Sequence, residues 1–234
     1  MNTNQAKRAL TAFLWTACAA SLSAQSDMKG HWTGTLNSPA GPIDLGFDLD
    51  KIASGWVGSA SIPMQGATGI PLDAISFIGG KATFRIQGAA GDPTFVGTLS
   101  ADGKSMEGTF ATLPLKLGRT GEAKVEMPKA SPPVAEKFLG TWEGTVQTGP
   151  GLRMMLTLSN GAAGAEAVLI SMDQNNAQIP VSSIAQSDVN LTLEINAVGG
   201  AFHGTLSQDG TQLNGTLTQR GNEIPLDFKK TAKP

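Results

Sequence analysis

The chain has 234 residues, with 17 basic and 19 acidic side chains and a formal net charge of −2. A mildly acidic chain without a basic run lacks the charge pattern of nucleic-acid-binding proteins, so we expect no nucleic-acid partner. Glycine is abundant, at 29 residues, and the sequence has no heptad pattern or long helix-forming block. This composition favours an all-β protein of short strands and tight turns.

The N-terminus has the three-part pattern of a secretory signal peptide. Lys7 and Arg8 give a positive start, an apolar run follows at 9–20, and small residues precede a cleavage position after Ala24. The apolar run is too short for a bilayer core, which needs roughly 20 residues. We therefore expect residues 1–24 to be removed and the mature protein to be periplasmic or extracellular, with no transmembrane segment.

Cysteine and histidine are scarce. Cys18 is the only cysteine and lies within the leader; Trp15 stands where a lipidation signal requires Leu, which disfavours anchoring through Cys18. The mature chain must then fold without disulfides, although its compartment permits them. The two histidines, His31 and His203, occupy non-equivalent positions and are expected to lie on surface strands. No zinc ligand set is present, and we expect no metal and no other cofactor.

Five blocks of sequence recur in the same order at offsets of 107–111 residues. The matching pairs are 30–36 with 140–146, 70–75 with 179–184, 97–103 with 204–210, 108–109 with 215–216, and 113–115 with 224–226. This period far exceeds the roughly 20–50 residues of solenoid repeats, so each copy is interpreted as a domain.

Between the copies, residues 121–135 are rich in charged residues, alanine and proline and carry no apolar alternation. Proline cannot donate a backbone hydrogen bond and stiffens the chain. We interpret 121–135 as a Pro-rich linker between domains at 28–120 and 136–231.

Each copy contains about eight β-rich runs, separated by turn residues in the spacing typical of antiparallel sandwiches and barrels. Copy one has them at 31–36, 43–50, 55–62, 68–76, 82–87, 94–99, 105–111 and 113–118. Copy two has them at 141–147, 152–158, 164–171, 178–184, 189–195, 201–206, 212–218 and 223–229. The sequence predicts two tandem small antiparallel barrels, since a closed barrel leaves no free edge.

Three dipeptides carry the strongest turn signals: Asp102-Gly103, Asp209-Gly210 and Asn160-Gly161. Asp-Gly and Asn-Gly favour type I′ hairpin turns, in which both central residues have positive φ. We therefore predict type I′ turns at these dipeptides. The pairs at 79–80 and 199–200, both Gly-Gly, are weaker examples.

The Gly-x-Trp element at 30–32 and 140–142 resembles the first-strand signature of lipocalin-like barrels, in which the tryptophan plugs one end of the core. A longer likeness covers nearly all of each copy. The order Gly-x-Trp-x-Gly-Thr, Met-Asp-Gln, Ile-Pro-Val-Ser-Ser-Ile, Gly-Thr-Leu-Ser-x-Asp-Gly-Thr and Ile-Pro-Leu resembles a β-rich domain of secreted bacterial proteins that commonly precedes a serine-hydrolase domain. The resemblance implies a non-catalytic accessory role and supplies no catalytic residues. The sequence departs from the usual arrangement because no hydrolase follows the second copy.

The candidate site residues fall into two groups. Trp32 and Trp142 are predicted to be structural core. The candidates for ligand contact are Trp56, Met64, Gln65, Met172 and Gln174. Gln65 and Gln174 occupy corresponding positions, where each could orient a ligand at a barrel mouth or only hydrogen-bond its own turn.

Catalytic chemistry has little support. No Gly-x-Ser-x-Gly elbow is present. Asp44, Asp48 and Asp50 alternate along one run, which indicates an exposed acidic stripe or, alternatively, a weak calcium site. Asp73 and Glu107 remain as a carboxylate pair for glycoside hydrolysis, although their spacing does not favour it.

The leading hypothesis is a secreted, non-catalytic binding or accessory module whose partner is a small apolar ligand, a glycan or an envelope protein. The alternatives are a small carboxylate-dependent hydrolase and a structural component of the cell envelope with no small ligand. A narrow barrel interior filled by side chains would favour the structural alternative over ligand binding.

Overall fold

The computed structural model describes residues 27–89, 91–147 and 149–231, so the predicted signal peptide lies outside the described residues. Within those ranges the regular structure is β-strand, apart from single-turn 3-10 helices at Pro63–Gln65, Glu136–Phe138 and Asn196–Val198. The predicted all-β class is confirmed. In the same ranges, no helix is long and apolar enough to span a bilayer.

Copy one forms a closed antiparallel barrel of eight strands. They are β1 (Gly30–Ser38), β2 (Gly41–Ile52), β3 (Gly55–Ile62), β4 (Ala67–Ile78), β5 (Lys81–Ile86), β6 (Thr94–Leu99), β7 (Ser105–Phe110) and β8 (Leu113–Gly121). Each strand pairs with the next one along the chain, and β1 pairs with β8 to close the barrel. Every predicted run of copy one corresponds to one strand.

Copy two forms a curled sheet of ten antiparallel strands. They are β9 (Gly140–Val146), β10 (Leu152–Gly161), β11 (Gly164–Ser171), β12 (Ala177–Pro180), β13 (Ser183–Ser187), β14 (Asn190–Ile195), β15 (Gly200–Leu206), β16 (Gln212–Gln219), β17 (Asn222–Pro225) and β18 (Phe228–Lys230). The sheet begins at β12 and ends at β13, which are joined by only Val181 and Ser182.

Two of the eight predicted runs of copy two are each split into two strands. The run at 178–184 becomes β12 and β13, which are interrupted where the Ser182 carbonyl accepts a hydrogen bond from the N–H of the linker residue Lys129 at 3.0 Å. The run at 223–229 becomes β17 and β18, where the Asp227 carboxylate accepts the backbone N–H of Gly215 at 3.0 Å. Apart from these two breaks, the strand order of copy two repeats that of copy one.

A buried tryptophan seals one end of each domain. Trp32 and Trp142 are both 0% exposed. Each indole N–H donates a 2.9 Å hydrogen bond to a carbonyl four residues earlier, that of Met28 or Phe138. A cation covers each ring, with Arg119 at 4.6 Å from the Trp32 centroid and Lys230 at 4.9 Å from that of Trp142. Burial of one large apolar side chain contributes roughly 1.5–3 kcal/mol.

Phenylalanine rings fill the interior of the first barrel. Phe47 lies 5.0 Å from Phe84 and 5.9 Å from Phe110, measured between ring centroids. Phe84 stacks on Phe95 at 4.8 Å. These rings pack the centre of the barrel, so any ligand space lies at its ends or outside it.

The predicted type I′ turns at the Asp-Gly pairs are wrong. Both pairs lie in five-residue hairpin loops, at 100–104 and 207–211, and φ is positive only at Gly103 (69°) and Gly210 (70°). In each loop the aspartate accepts a 2.6 Å hydrogen bond from the serine two residues earlier and a backbone N–H from two residues later. These bonds replace the type I′ geometry that the dipeptide favours.

The Asn160-Gly161 pair is not a turn centre either, because both residues belong to β10 and the turn is formed by Ala162 and Ala163. The Asn160 amide instead binds the backbone of Val134. The weaker Gly79-Gly80 pair does have positive φ at both residues, 59° and 80°.

Because Trp32 and Trp142 each close one end of a core, replacing either one is expected to lower the stability of the protein strongly. We expect Trp142→Ala to lower the free energy of unfolding by about 3–5 kcal/mol, because it leaves a cavity and an unpaired carbonyl. Trp56→Ala, at a half-buried position, is the matched control and should cost distinctly less. Chemical denaturation followed by circular dichroism gives both values, and equal losses would contradict the sealing role.

The serine–aspartate loops predict a local pH effect. The Ser100 hydroxyl and, to a smaller extent, the Lys104 backbone N–H lower the pKa of Asp102. These hydrogen bonds therefore stabilise the folded hairpin at pH values above the ordinary pKa of an aspartate. The stabilisation is lost as the pH falls through the lowered value. In Ser100→Ala we expect the pKa of Asp102 to rise towards its ordinary value, measured by carboxyl NMR titration. Ser54→Ala is the control, and an unchanged pKa in Ser100→Ala would contradict the assignment.

Candidate functional site

The linker is bound along the outside of the first barrel. The Lys124 N–H donates to the Asp48 carboxylate at 2.7 Å. The Glu126 N–H donates to the hydroxyl of Ser59 at 3.1 Å, and Ser59 is itself buried. The segment therefore runs from the Trp32-sealed end, where β8 finishes, towards the opposite end of the barrel.

The linker then continues along the outside of the second domain. The Ser131 carbonyl accepts the Ala165 N–H at 2.9 Å, and its hydroxyl accepts the Ile184 N–H at 2.8 Å. Further on, the Asn160 side chain binds both the N–H and the carbonyl of Val134, at 3.0 and 2.8 Å. Because β9 starts directly afterwards, the linker finishes at the Trp142-sealed end.

This path brings the two unsealed ends together. An extended segment of the size of 122–139 reaches at most about 60–65 Å, which is enough to pass the first barrel and the second domain placed end to end. The sealed ends point away from one another, at opposite extremes of the linker. The loops that connect β1 to β2, β3 to β4, β5 to β6 and β7 to β8 therefore face the second domain.

Direct contacts join the two open ends. The Gln178 N–H donates to the Gly88 carbonyl at 2.8 Å. The Arg220 guanidinium donates to the Gln65 carbonyl at 3.2 Å. Gly199 has a φ of 60°, and a Cβ at that position would lie 2.7 Å from the Gly66 carbonyl oxygen. The two backbones approach closely here because Gly199 has no side chain.

An apolar cleft of about 270 Å³ lies where the open ends meet. Its floor and walls in the first barrel are mainly Leu36, Ile43, Leu45, Ile62, Ile70, Ile86 and Phe110. Its cover from the second domain is mainly Ala177, Ile179, Pro180, Ala197 and Val198. None of the lining residues is charged, and the polar side chains among them are those of Gln65, Gln87 and Gln178.

One of the five ligand-contact candidates lines this cleft. Gln65 lies at its edge, and neighbouring Met64 is 67% exposed. Trp56 lies towards the opposite, sealed end of the barrel, packed edge-on against Phe77 with their centroids 6.4 Å apart.

The second-domain candidates lie at the open end of their own sheet but do not line the cleft. The side-chain amide oxygen Oε1 of Gln174 accepts the Ser171 hydroxyl at 2.9 Å, within its own turn. Met172 lines a separate polar pocket of about 430 Å³, together with Arg153 and Lys229.

The sequence analysis did not identify the apolar lining residues as a site. One signal pointed to them, the repeated Ile-Pro pair at 70–71 and 179–180. Ile70 lines the cleft from the first barrel, and Ile179 and Pro180 line it from the second domain. The duplicated motif thus faces the cleft from both sides, which only the contact between the domains reveals.

The acidic stripe of β2 lies on the outer face of the barrel, and each carboxylate has a partner. Asp44 accepts the Thr35 hydroxyl, Asp48 lies 2.9 Å from His31, and Asp50 lies 2.8 Å from Lys29. The Lys29 ammonium lowers the pKa of Asp50. No group of three or more metal-ligating side chains occurs among residues 27–89, 91–147 and 149–231.

The two carboxylates considered for hydrolysis lie apart. Asp73 is on β4 and is held by Arg85 through two hydrogen bonds of 2.7 and 3.0 Å. Glu107 is on β7 and lies 2.6 Å from Lys116, whose pKa it raises. Two strands, β5 and β6, separate β4 from β7 around the barrel.

No family model matches the sequence, and no curated protein matches it. The chain is similar to a solved structure of unknown function from the DUF3598 family of Nostoc punctiforme, at 12% identity and a TM-score of 0.28, over 87% of this chain and 96% of that one. It is also similar to a proposed AttH protein from Nitrosomonas europaea, at 12% identity and a TM-score of 0.22, over 86% of this chain and 91% of that one. Similarity at this level carries no argument about function.

The close approach at Gly199 predicts that adding a single methyl group at this position would push the two open ends apart. In Gly199→Ala we expect a larger radius of gyration by small-angle X-ray scattering, because the new Cβ meets the Gly66 carbonyl. Gly210→Ala is the matched control, since Gly210 has a similar φ of 70° but no neighbour within 4 Å of its Cβ position. Identical scattering of both variants and the parent chain would contradict the contact.

Proposed function

We propose that the protein is an exported, non-catalytic binding module that holds a small apolar molecule in the cleft between its two open ends. The supporting observation is the uncharged, largely aliphatic lining of that cleft. Ligand sites favour such places, at domain interfaces and in the mouths of β-barrels. The signal-peptide pattern and the resemblance to an accessory domain agree with this role.

The residues that line the cleft favour a small apolar ligand among the three classes of partner considered in the sequence analysis. A glycan would need convergent polar groups, whereas only glutamine side chains and backbone atoms offer hydrogen bonds here. The cleft has room for about nine water molecules, at roughly 30 Å³ each. Water in such a lining makes few hydrogen bonds, so its replacement by an apolar ligand is favourable. A neutral molecule, or one with an uncharged polar group, fits this site best.

A structural envelope component is the second candidate, and one observation favours it. The interior of the first barrel is filled by Phe47, Phe84, Phe95 and Phe110, so the barrel itself has no ligand chamber. This candidate requires the cleft to be a packing gap. The two proposals therefore differ in whether the cleft binds anything saturably.

Titration with the neutral fluorescent probe N-phenyl-1-naphthylamine distinguishes the two candidates. We expect saturable binding that falls at least tenfold in Ala197→Trp, because the indole would fill the cleft. The control is Ala162→Trp, which places the same side chain in the β10–β11 turn, away from the cleft. Circular dichroism checks that each variant is folded. Absence of saturable binding, or equal binding by Ala197→Trp, would contradict the binding function.

A further inference from the structure

The sealed end of the first barrel carries exposed apolar side chains on two neighbouring hairpins. Ile52 ends β2 and is 49% exposed, and Ile78 ends β4 and is 78% exposed. Behind them, Trp56 and Phe77 pack edge-on and are only partly buried. Exposed apolar side chains that cluster in this way mark an interaction surface more often than isolated ones do.

A lysine stands beside each of these isoleucines. Lys51 precedes Ile52, and its ammonium lies 5.7 Å from the Trp56 ring centroid. Lys81 is the register partner of Ile78 across the β4–β5 hairpin. Within the described ranges, neither lysine belongs to an ion pair. We call these six residues the tip surface: Lys51, Ile52, Trp56, Phe77, Ile78 and Lys81.

The second domain shows what the same place looks like when it binds a peptide segment. The positions equivalent to the tip surface in strand register are Asn160, Gly161, Ala165, Gln186, Ser187 and Asn190. The linker covers this region. The Asn160 side chain binds both the N–H and the carbonyl of Val134, and the Gln186 side-chain oxygen accepts the Ala135 N–H at 2.7 Å.

The first barrel lacks this peptide-binding chemistry. Lys51 stands where Asn160 clamps the backbone, and Phe77 stands where Gln186 does. The amide groups that hold an extended segment are replaced by apolar and cationic side chains. Such a surface offers few hydrogen bonds to a peptide backbone, whereas it matches the chemistry of a lipid interface.

We propose that the tip surface docks the protein onto a bilayer that contains anionic lipids. Ile52 and Ile78 enter the boundary between headgroups and acyl chains, where amphipathic surfaces bind. Trp56 lies at headgroup level, as indole rings do at membrane interfaces. Lys51 and Lys81 keep their ammonium groups among the anionic headgroups, with their alkyl stems along the apolar side chains. The barrel then stands on its sealed end, with the cleft at its opposite end.

Co-sedimentation of the processed protein with vesicles tests this docking. We expect binding to vesicles of mixed phosphatidylcholine and phosphatidylglycerol, and weaker binding to phosphatidylcholine alone. In the double variant Ile52→Ser and Ile78→Ser, the partition coefficient should fall about tenfold or more. The matched control is Val189→Ser, which removes an exposed apolar side chain at the β13–β14 hairpin of the second domain.

Fluorescence gives an independent readout, because Trp32 and Trp142 are fully buried and Trp56 is half-buried. We expect a blue shift when vesicles are added, and its loss in Trp56→Phe. Equal vesicle binding by the double serine variant and the parent would overturn the proposal. A blue shift that is produced by a peptide of residues 130–136, but not by vesicles, would also overturn the proposal. That result would show that the tip surface binds an extended peptide segment.

Discussion

The docking of the linker along both domains is the constraint on which the arrangement of the molecule depends. β8 finishes, and β9 starts, at a tryptophan-sealed end. A chain leaving one sealed end can reach the other by running back over both domains, and its hydrogen bonds to Asp48, Ser59, Ser182 and Asn160 fix that path. The open ends are thereby turned towards each other, and the apolar side chains at their rims are removed from water by mutual contact.

Duplication explains which features are shared and which are not. Both copies repeat the indole hydrogen bond, the cation over the ring and the serine–aspartate hairpin loop, each of which closes or stabilises one small core. The copies differ where their surroundings differ. The sealed end of the second domain binds the linker through Asn160 and Gln186. The equivalent tip surface of the first barrel is uncovered and carries isoleucine and lysine side chains. The two ends of the first barrel thus serve different proposed tasks, ligand binding at the open end and membrane docking at the sealed end.

The sequence predicted the strands well, because period-2 alternation and glycine-rich turns are local signals. In the run at 189–195, for example, Leu191, Leu193 and Ile195 alternate with polar residues, and all three side chains are 1% exposed or less. Turn type was harder to predict, because the Ser100 and Ser207 hydroxyls compete with the intrinsic preference of Asp-Gly. The cleft could not be predicted, because its walls come from both copies and depend on the close approach of Gly66 and Gly199. Trp56 is a candidate for ligand contact in the sequence, but nothing local indicates which end of the barrel it occupies.

Amide hydrogen exchange at Gln178 tests most directly whether the open ends meet. The Gln178 N–H donates to the carbonyl of Gly88, in the other domain, at 2.8 Å. We predict that this amide is protected from exchange in the parent chain. We also predict that it exchanges faster in Gly199→Ala, because a Cβ at that position meets the Gly66 carbonyl. A Gln178 amide that exchanges as fast as a solvent-exposed one in the parent chain would contradict the end-to-end arrangement.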